Sequence, residues 1–420
     1  MRDNQIKKIC AREILDSRGN PTVEACVTLE CGITGIASVP SGASTGQYEA
    51  YELRDGNNRY NGRGVLCAVS NIGKRISPAL EGVNVCCTKE IDTILCELDG
   101  TDNKRNLGAN AILAVSLACA KTAANYNRIP LYRYIGGANT TRLPIPMMNV
   151  LNGGAHASNN IDIQEFMIVP VGASCFSEGI RIGWEIYHTL KEQLKKKNLS
   201  VTVGDEGGFA PDISSDEDAI LLLCEAIEAS GYSDKVKIAL DVASSEWYDG
   251  NVYKMPKRGI EMTSRGMIDY LSGLCNKYPI CSIEDGLAEN DDDGWVAVTR
   301  ALSDKIMLVG DDYFVTDKER LKHGIEIGAA NSILIKPNQI GTLSETLDAI
   351  NLAKYSGYRF IPSHRSGDTE DTSLADLAVA TGAMFIKSGA PCRSERLAKY
   401  NRLLRIEASL GICAEYGTGF

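Results

Sequence analysis

The sequence predicts an α/β protein in two parts: a C-terminal eight-stranded α/β barrel of the TIM type, preceded by a smaller N-terminal α+β domain. With 420 residues the chain is longer than most single domains. Six short apolar runs recur in its second half, each ending in a polar residue and followed by a helix-like segment. Those end residues are Asp241, Glu284, Asp311, Lys336, His364 and Lys387. Their spacings of 43, 27, 25, 28 and 23 residues fit the repeat of about 30 residues in a barrel of about 250.

The first part of the chain has a different pattern. About sixty N-terminal residues alternate between apolar and polar, as in TVEACVTLECGITGIASV, and this alternation predicts antiparallel strands. A glycine-rich break, PSGASTGQ, follows, and the stretch from Arg63 to Asn125 then has helical spacing, clearest in NAILAVSLACAKTAANY. We therefore place an N-terminal α+β capping domain at residues 1–132 and the barrel, with the active site, at residues 133–420.

Two further strands are needed to complete the barrel. The segments DIQEFMIVPV and VTVGDEGGFAP supply candidates, with strand ends near Glu165 and Glu206. The long first spacing, from Asp241 to Glu284, contains SSEWYDGNVYKM, which has the pattern of an inserted hairpin. Because active sites of such barrels lie at the C-terminal ends of the strands, we expect eight polar side chains to meet at one mouth.

The charge and the apolar pattern exclude several classes of function. The net charge is −10 and the isoelectric point is about 5.1, which argues against a broad nucleic-acid surface. No apolar run approaches the ~18 residues of a membrane span. The N-terminal segment MRDNQIKKICARE lacks the apolar core of a signal peptide. A cytoplasmic location is therefore expected.

The fourteen cysteines form no C-x-x-C pair, and the chain has only four histidines. Many of the cysteines stand in apolar runs, such as Cys224 in AILLLCEAIEA and Cys281 in YPICSIED. This pattern predicts buried free thiols that pack as small apolar side chains, and it argues against disulfides and against a zinc or iron–sulfur site.

Three acidic strand ends indicate a metal site. A single acidic residue after a strand is typical of a helix cap. Three carboxylates from neighbouring strands, Asp241, Glu284 and Asp311, would repel one another unless a cation lies among them. Carboxylate oxygens favour Mg²⁺, and zinc is disfavoured because no histidine or cysteine joins the set.

The later strand ends are cationic and indicate an anionic substrate. Lys336 and Lys387 end two strands, and SHRSGDTED places His364, Arg365 and Ser366 beside them. Arg365 with Ser366 suits a phosphate, which a guanidinium binds through two parallel hydrogen bonds. Glu165 and Glu206 lie across the mouth from Lys336. We expect the pKa of Lys336 to be depressed by nearby cations, so that it acts as a base at the carbon next to a carboxylate, with metal ions stabilising the enolate.

The sequence resembles the enolase family over essentially its whole length. The resemblance rests on eleven segments in order: DSRGNPTVE, PSGASTG, ELRDG, GANAILAVSLA, MMNVLNGGAHA, QEFMIVP, VGDEGGFAP, SIEDGL, VGDD, LIKPNQIG and SHRSGDTED. It implies the reversible dehydration of 2-phosphoglycerate to phosphoenolpyruvate in glycolysis and gluconeogenesis. It also implies two Mg²⁺ per site, the second arriving with substrate, and a homodimer or an octamer built as a tetramer of dimers.

The resemblance also implies a role for each matched residue. Lys336 would remove the C2 proton, and Glu206 would protonate the departing C3 hydroxyl. Ser44 and His156 would lie on two loops that close over the site. The full set is Glu206, Lys336, Glu165 and His364 as catalytic residues, His156, Gln164, Glu165, Arg365, Ser366 and Lys387 as substrate-binding residues, and Asp241, Glu284, Asp311 and Ser44 as metal ligands.

Three other functions remain open at this point. An acid-sugar dehydratase, racemase or cycloisomerase of the same superfamily would carry a Lys-x-Lys motif on an early barrel strand, where this chain has Glu165 and Glu206. A paralogue acting on a phosphonate analogue would use the same residues. A non-catalytic role at the cell surface, as a receptor or assembly protein, could coexist with catalysis.

Overall fold

The computed structural model describes residues 3–42 and 46–417. Its N-terminal part begins with a three-stranded antiparallel sheet in the order β1-β2-β3. Arg12 lies opposite Glu24 on the outer face, where the two side chains form an ion pair of 3.3 Å. Val23, Ala25 and Val27 on the other face are fully buried. The predicted alternation is therefore confirmed. The strands are β1 (Ile6–Leu15), β2 (Pro21–Leu29) and β3 (Thr34–Ser38).

One long helix forms the centre of this domain. It is almost entirely buried because its small and branched side chains pack on the inner face of β2 and β3. The approach is close enough that a Cβ on Gly35 would lie 2.5 Å from the backbone nitrogen of Thr122, so only glycine fits there. The helices are α1 (Leu66–Asn71), a π-helical turn (Ile72–Ile76), α2 (Ser77–Leu80), α3 (Thr88–Asp99), α4 (Ala109–Tyr126) and α5 (Leu131–Gly136).

The second part is an eight-stranded barrel, which confirms the predicted fold class. The order of its strands is β13-β12-β11-β10-β7-β6-β5-β14. The ring closes between β13 and β14, where the His364 amide donates to the Lys387 carbonyl at 2.9 Å. The remaining strands are β4 (Arg142–Leu143), β5 (Ile145–Asn152), β6 (Glu165–Val169), β7 (Lys237–Asp241), β8 (Tyr253–Met255), β9 (Ile260–Met262), β10 (Ile280–Glu284), β11 (Met307–Gly310), β12 (Ser332–Ile335), β13 (Arg359–Pro362), β14 (Phe385–Lys387) and β15 (Glu415–Tyr416).

Of the two further strands predicted, DIQEFMIVPV does contain a barrel strand, β6, whereas VTVGDEGGFAP does not form one. No regular strand forms across residues 201–211, where isolated bridges join Phe209 to Leu151 and to Val203. The first barrel strand is instead β5, whose eight residues are all buried. Glu165 begins β6 rather than ending it, because β6 runs antiparallel to both β5 and β7. Because of that reversal, Glu165 pairs with Asp241 at the C-terminal end of β7, so it still lies at the mouth.

Helices surround the barrel, and apolar side chains fill its interior. The interior cluster includes Met147, Met167, Met307 and Phe385, all buried, so polar groups are displaced toward the mouth. The predicted insertion is present as the β8–β9 hairpin. The helices are α6 (Phe176–Lys196), α7 (Asp216–Ala229), α8 (Ser264–Lys277), α9 (Asp292–Leu302), α10 (Lys318–Ile327), α11 (Pro337–Ile340), α12 (Leu343–Tyr355), α13 (Ser373–Thr381) and α14 (Ser394–Leu410).

The cysteines are less buried than the sequence suggested. All fourteen are free thiols, but only Cys119 and Cys281 are buried, and Cys10, Cys31, Cys67 and Cys413 are exposed. Across residues 3–42 and 46–417, none of the helices combines the length and apolar character that crossing a membrane requires.

Candidate active site

Polar side chains collect at one end of the barrel, as predicted. Asp241, Glu284 and Lys387 are the last residues of β7, β10 and β14, and Glu165 is the first residue of β6. Lys336 directly follows β12. All of these side chains except Glu284 border a recess of about 480 Å³, part of which is open to solvent. Sixteen residues line it, among them Asp311, Glu206, His156, Gln164, His364, Arg365 and Ser366.

Lys387 lies at the centre of a buried cluster of carboxylates. Its Nζ is 2.9 Å from both oxygens of Glu284, 3.0 Å from Asp241 Oδ2 and 3.1 Å from Glu165 Oε2. Burial disfavours the ammonium, but Asp241, Glu165 and Glu284 outweigh that effect and raise the pKa of Lys387 well above its usual value. Burial, reinforced by Asp241, raises the pKa of Glu284. This corner of the site has more negative charge than one lysine balances.

Lys336 pairs with a single carboxylate, that of Asp311. The other oxygen of Asp311 accepts a hydrogen bond of 3.0 Å from Gln339 Nε2. The expected depression of the Lys336 pKa is wrong for the protein alone. Burial lowers the pKa of Lys336, but Asp311 outweighs burial and raises it, against the opposing charges of Arg365 and Lys387. A lowered pKa therefore requires the charge of Asp311 to be engaged by another cation.

The three predicted metal ligands bring the right chemistry to the mouth. Asp241 and Glu284 share the Lys387 ammonium, and Asp311 pairs with Lys336. Each of the three carboxylates therefore already forms an ion pair with a lysine. Carboxylate oxygens are the donors that Mg²⁺ prefers, so the donor chemistry fits that ion, but among the described residues these three do not form one of the groups whose ligand atoms lie within 4.8 Å of one another. Ser44, the fourth predicted ligand, lies outside the described residues.

Asp285 is a buried residue of this corner that the sequence argument did not single out. Its two carboxylate oxygens accept hydrogen bonds of 2.9 Å from the amides of Asp311 and Asp312. Carboxylate oxygens of Asp285, Asp311 and Asp312 lie within 4.8 Å of one another. Asp285 therefore fixes the turn that presents Asp311 to the mouth, and its position directly after Glu284 in SIEDGL was the available signal.

On the opposite side, two glutamates face each other across a histidine. His156 lies on a short 3₁₀ helix of one turn, Gly154–His156. Its Nδ1 is 3.5 Å from Glu165 Oε1 and 3.9 Å from Glu206 Oε1. Burial and the charge of Glu206 raise the pKa of Glu165 well above its usual range. Burial alone would raise the pKa of Glu206. His364 and His156 outweigh burial and lower that pKa. These opposite shifts favour the protonated form of Glu165 and the carboxylate form of Glu206.

Hydrogen bonds from three further residues fix the acidic side. Gln164 Nε2 donates to Asp241 Oδ2 at 3.2 Å, which links the acidic side to the carboxylate cluster. Asn149 Nδ2, on β5, donates to Glu206 Oε2 at 3.0 Å. Lys257, in the hairpin turn, donates to the carbonyls of Gly154 and Ala157 at 2.9 and 3.1 Å and so anchors the turn that carries His156. Asn149 and Lys257 were missed because each acts only through long-range contacts.

Arg365, the predicted phosphate ligand, meets a carboxylate from the N-terminal domain. Its Nη1 is 2.8 Å from Glu49 Oε2 and its Nη2 is 3.2 Å from Glu49 Oε1, a two-pronged contact. Nη1 also lies 3.3 Å from Asn338 Oδ1, and Ser366 next to it is buried. Glu49 therefore presents two oxygens to the guanidinium, the two-pronged contact that a bound phosphate or carboxylate would also make. The sequence argument missed Glu49, which lies three residues beyond PSGASTG.

Two family models match nearly the whole chain. The model described as "Enolase, N-terminal domain" matches residues 6–135, and the model described as "Enolase, C-terminal TIM barrel domain" matches residues 140–419. The chain belongs to the enolase family. Its two-part fold and its class, a lyase-type enzyme of the enolase superfamily, follow from that membership. As an enolase-family chain it has its acidic residues at the end of the barrel where this superfamily holds metal ions.

Proposed function

We propose that the protein catalyses the reversible dehydration of 2-phosphoglycerate to phosphoenolpyruvate, a step of glycolysis and gluconeogenesis. One observation carries the proposal: a single buried recess has Lys336 on one side and the Glu165–Glu206 pair on the other. In the barrel, β12 and β6 are separated by three intervening strands, so the two groups face each other across the mouth. A base and an acid on opposite sides suit removal of a proton from C2 and of hydroxide from C3.

Arg365 and Ser366 bind the phosphate in this proposal. The substrate takes the place of Glu49 on the Arg365 guanidinium, because both anions need the same two N–H groups. Lys387 binds on the side of the substrate carboxylate, and Gln164 and His156 border the same space. The substrate is thereby held with C2 toward Lys336 and C3 toward Glu206.

Asp241, Glu284 and Asp311 would hold one Mg²⁺, and Ser44 would contribute to a second that arrives with substrate. Bound Mg²⁺ supplies positive charge beside the substrate carboxylate as negative charge builds there. Once Asp311 is engaged by a cation, Lys336 loses the main cause of its raised pKa. Burial and the charges of Arg365 and Lys387 then lower that pKa, and Glu284 is left as a smaller opposing charge.

The reaction proceeds in two steps. The neutral Lys336 amine takes the C2 proton, and the electron pair of that C–H bond moves into the enolate. The enolate then forms the C2–C3 double bond as the C3–O bond breaks, and Glu206 gives its proton to the departing hydroxyl, which leaves as water. In this proposal Glu206 obtains that proton from Glu165, whose raised pKa favours its protonated form. The reverse reaction uses the same groups with exchanged roles.

A coupled assay tests the proposal directly. Purified protein is mixed with 2-phosphoglycerate, with and without Mg²⁺, and the ultraviolet absorbance of phosphoenolpyruvate is followed. We expect product only when Mg²⁺ is present. Absence of product with 2-phosphoglycerate, together with turnover of its phosphonate analogue, would replace this function by that of a paralogue.

We also propose that the protein is cytoplasmic, with a secondary presence at the cell surface possible, and that it forms a homodimer or a tetramer of dimers. The division of the chain after residue 132 belongs to the same set of proposals. Sedimentation velocity of the purified protein distinguishes the monomer, the dimer and the octamer.

A further inference from the structure

Arg396 is a fully buried cation behind the proposed acid. It lies in the first turn of α14, with a side chain that is 0 % exposed. Its Nη2 donates to the Ser366 carbonyl at 2.6 Å and to the Asp205 carbonyl at 3.3 Å, and its Nη1 donates to the Arg365 carbonyl at 2.5 Å. One guanidinium therefore joins the loop that carries Glu206 to the loop that carries the proposed phosphate ligands.

The same guanidinium also contacts His364. The distance from Arg396 Nη1 to His364 Nδ1 is 2.6 Å. A guanidinium has N–H donors and no acceptor, so Nδ1 must accept this hydrogen bond. A neutral imidazole that accepts at Nδ1 carries its proton on Nε2. His364 Nε2 faces Glu206, with Oε2 at 3.4 Å.

His364 is held in the neutral form by its surroundings. Burial lowers the pKa of His364 to about 4; the Glu206 carboxylate acts in the opposite direction, and the Arg396 cation acts with burial. A doubly protonated ring would also direct an N–H at the guanidinium, which cannot accept it. Geometry and charge thus favour the same neutral tautomer.

We propose that Arg396 is a positioning residue for the reaction: it fixes the His364 proton on Nε2, so that this N–H faces Glu206. The inference rests on the proposed function. The Nε2–H stabilises the carboxylate that remains when Glu206 has given its proton to the leaving hydroxyl. The opposite tautomer would direct a lone pair at that carboxylate and oppose the same step.

The local backbone is built around this guanidinium. Gly389 has a φ of +73°, and a Cβ there would lie 2.8 Å from the Glu206 carbonyl and 2.9 Å from Arg396 Cδ. Only glycine accommodates both the backbone conformation and the close approach. The Arg396 side chain therefore passes between Gly389 and the two loops in a space that has no room for a different arrangement.

The test is the tautomer of His364, read from long-range ¹H–¹⁵N spectra of protein labelled at histidine nitrogens. The chain has only four histidines, and His364→Asn identifies the relevant signals by their loss. In the wild type we expect the proton on Nε2. In Arg396→Met, which removes the donors, we expect a mixture of both tautomers, and in Arg396→Lys, which keeps one donor, we expect the Nε2–H form to predominate.

Activity provides the second measurement. In Arg396→Met we expect dehydration to slow by about 10-fold to 100-fold, less than the ~10²–10⁴-fold that an acid contributes, with exchange of the C2 proton retained. Arg402→Lys is the matched control, because Arg402 lies on the same helix and pairs with Asp376 outside the site. If Arg396→Met does not fold, the wild-type and Arg396→Lys spectra still decide.

Two results would overturn the inference. One is a wild-type His364 with its proton on Nδ1; the other is a folded Arg396→Met protein with the wild-type tautomer and wild-type partition between exchange and dehydration. The tautomer measurement itself does not depend on the identity of the substrate. A protein that lacks activity on 2-phosphoglycerate but keeps the Nε2–H tautomer would contradict the proposed function alone.

Discussion

The two sides of the barrel mouth differ in how their buried charges are compensated. On one side Lys336 pairs with one carboxylate, Asp311, and the pair is balanced. On the other side the pKa of Glu165 is raised and that of Glu206 is lowered, beside His364, whose own pKa is lowered to about 4. Under the proposed function, we expect Lys336 to become a base when another cation engages Asp311. Metal binding should therefore change the basic side directly, while Asp241 and Glu284 also act on the pKa of Glu165.

Removing the base should have the largest effect. Lys336→Ala is expected to lower turnover of 2-phosphoglycerate by ~10²–10⁴-fold, because the change removes the proposed C2 base. Phosphoenolpyruvate absorbance measures it. Lys196→Ala, on the exposed face of α6, is the control and should keep full activity. Residual turnover close to wild type in Lys336→Ala would remove the distinction between the two sides.

Removing the acid should separate the two steps. Glu206→Gln is expected to slow dehydration by ~10²–10⁴-fold, since the amide cannot give a proton to the leaving hydroxyl. Lys336 and Asp311 are untouched by this change, so proton removal at C2 should continue. The measurement is the ratio of C2 exchange to product formation. Loss of both in equal proportion would mean that the two sides are not independent.

Metal binding should stabilise the protein through the cluster around Lys387. At a Mg²⁺ concentration about 100 times the dissociation constant, we expect the free energy of unfolding to rise by about 2.7 kcal/mol. Chelation should reverse this rise. Asp241→Asn should abolish most of it, whereas Asp234→Asn, at an exposed position, should keep it. Urea unfolding with and without Mg²⁺ measures the effect, and an undiminished gain in Asp241→Asn would exclude Asp241 as a ligand.

The smallest effect concerns the neutral histidine on the acidic side. The imidazole of His364 faces Glu206, Arg396 and Asp368, and burial lowers its pKa to about 4. In the unfolded chain the pKa of a histidine is about 6.5. Between these values the unfolded state binds more protons, so the protein loses stability as pH falls through that window. The loss is at most about 1.4 kcal/mol per pH unit. Urea unfolding across the window should show a shallower loss in His364→Asn; an identical slope would mean that His364 is not held neutral.

The fold and the strand-end residues could be predicted from the sequence because the parallel strands of the barrel are apolar runs that end in polar residues. The reversal at β6 was not, since an all-buried strand looks the same in either direction, and β5 ends on the uncharged Asn152 rather than on a charged residue. Asn149, Lys257 and Glu49 act across long separations in sequence, which no local pattern reveals. Arg396 stands in RSERLAKY, where an arginine in the first turn of a helix would ordinarily be solvated.

The pKa of Lys336 shows the same limit at the level of charge. The sequence places the lysine near carboxylates and cations but does not tell which of them it contacts. Contact with Asp311 decides the direction of the shift, because an ion pair at hydrogen-bond distance outweighs charges farther away. Direction therefore depends on geometry, even where the set of residues was predicted correctly.

The most direct test of the account is deuterium incorporation at C2 of 2-phosphoglycerate in D₂O with Mg²⁺, compared among the wild type, Glu206→Gln and Lys336→Ala. We predict incorporation by the wild type, continued incorporation by Glu206→Gln with little phosphoenolpyruvate formed, and none by Lys336→Ala. Incorporation by Lys336→Ala at the wild-type rate would contradict the account, because the C2 proton would then be removed by another group.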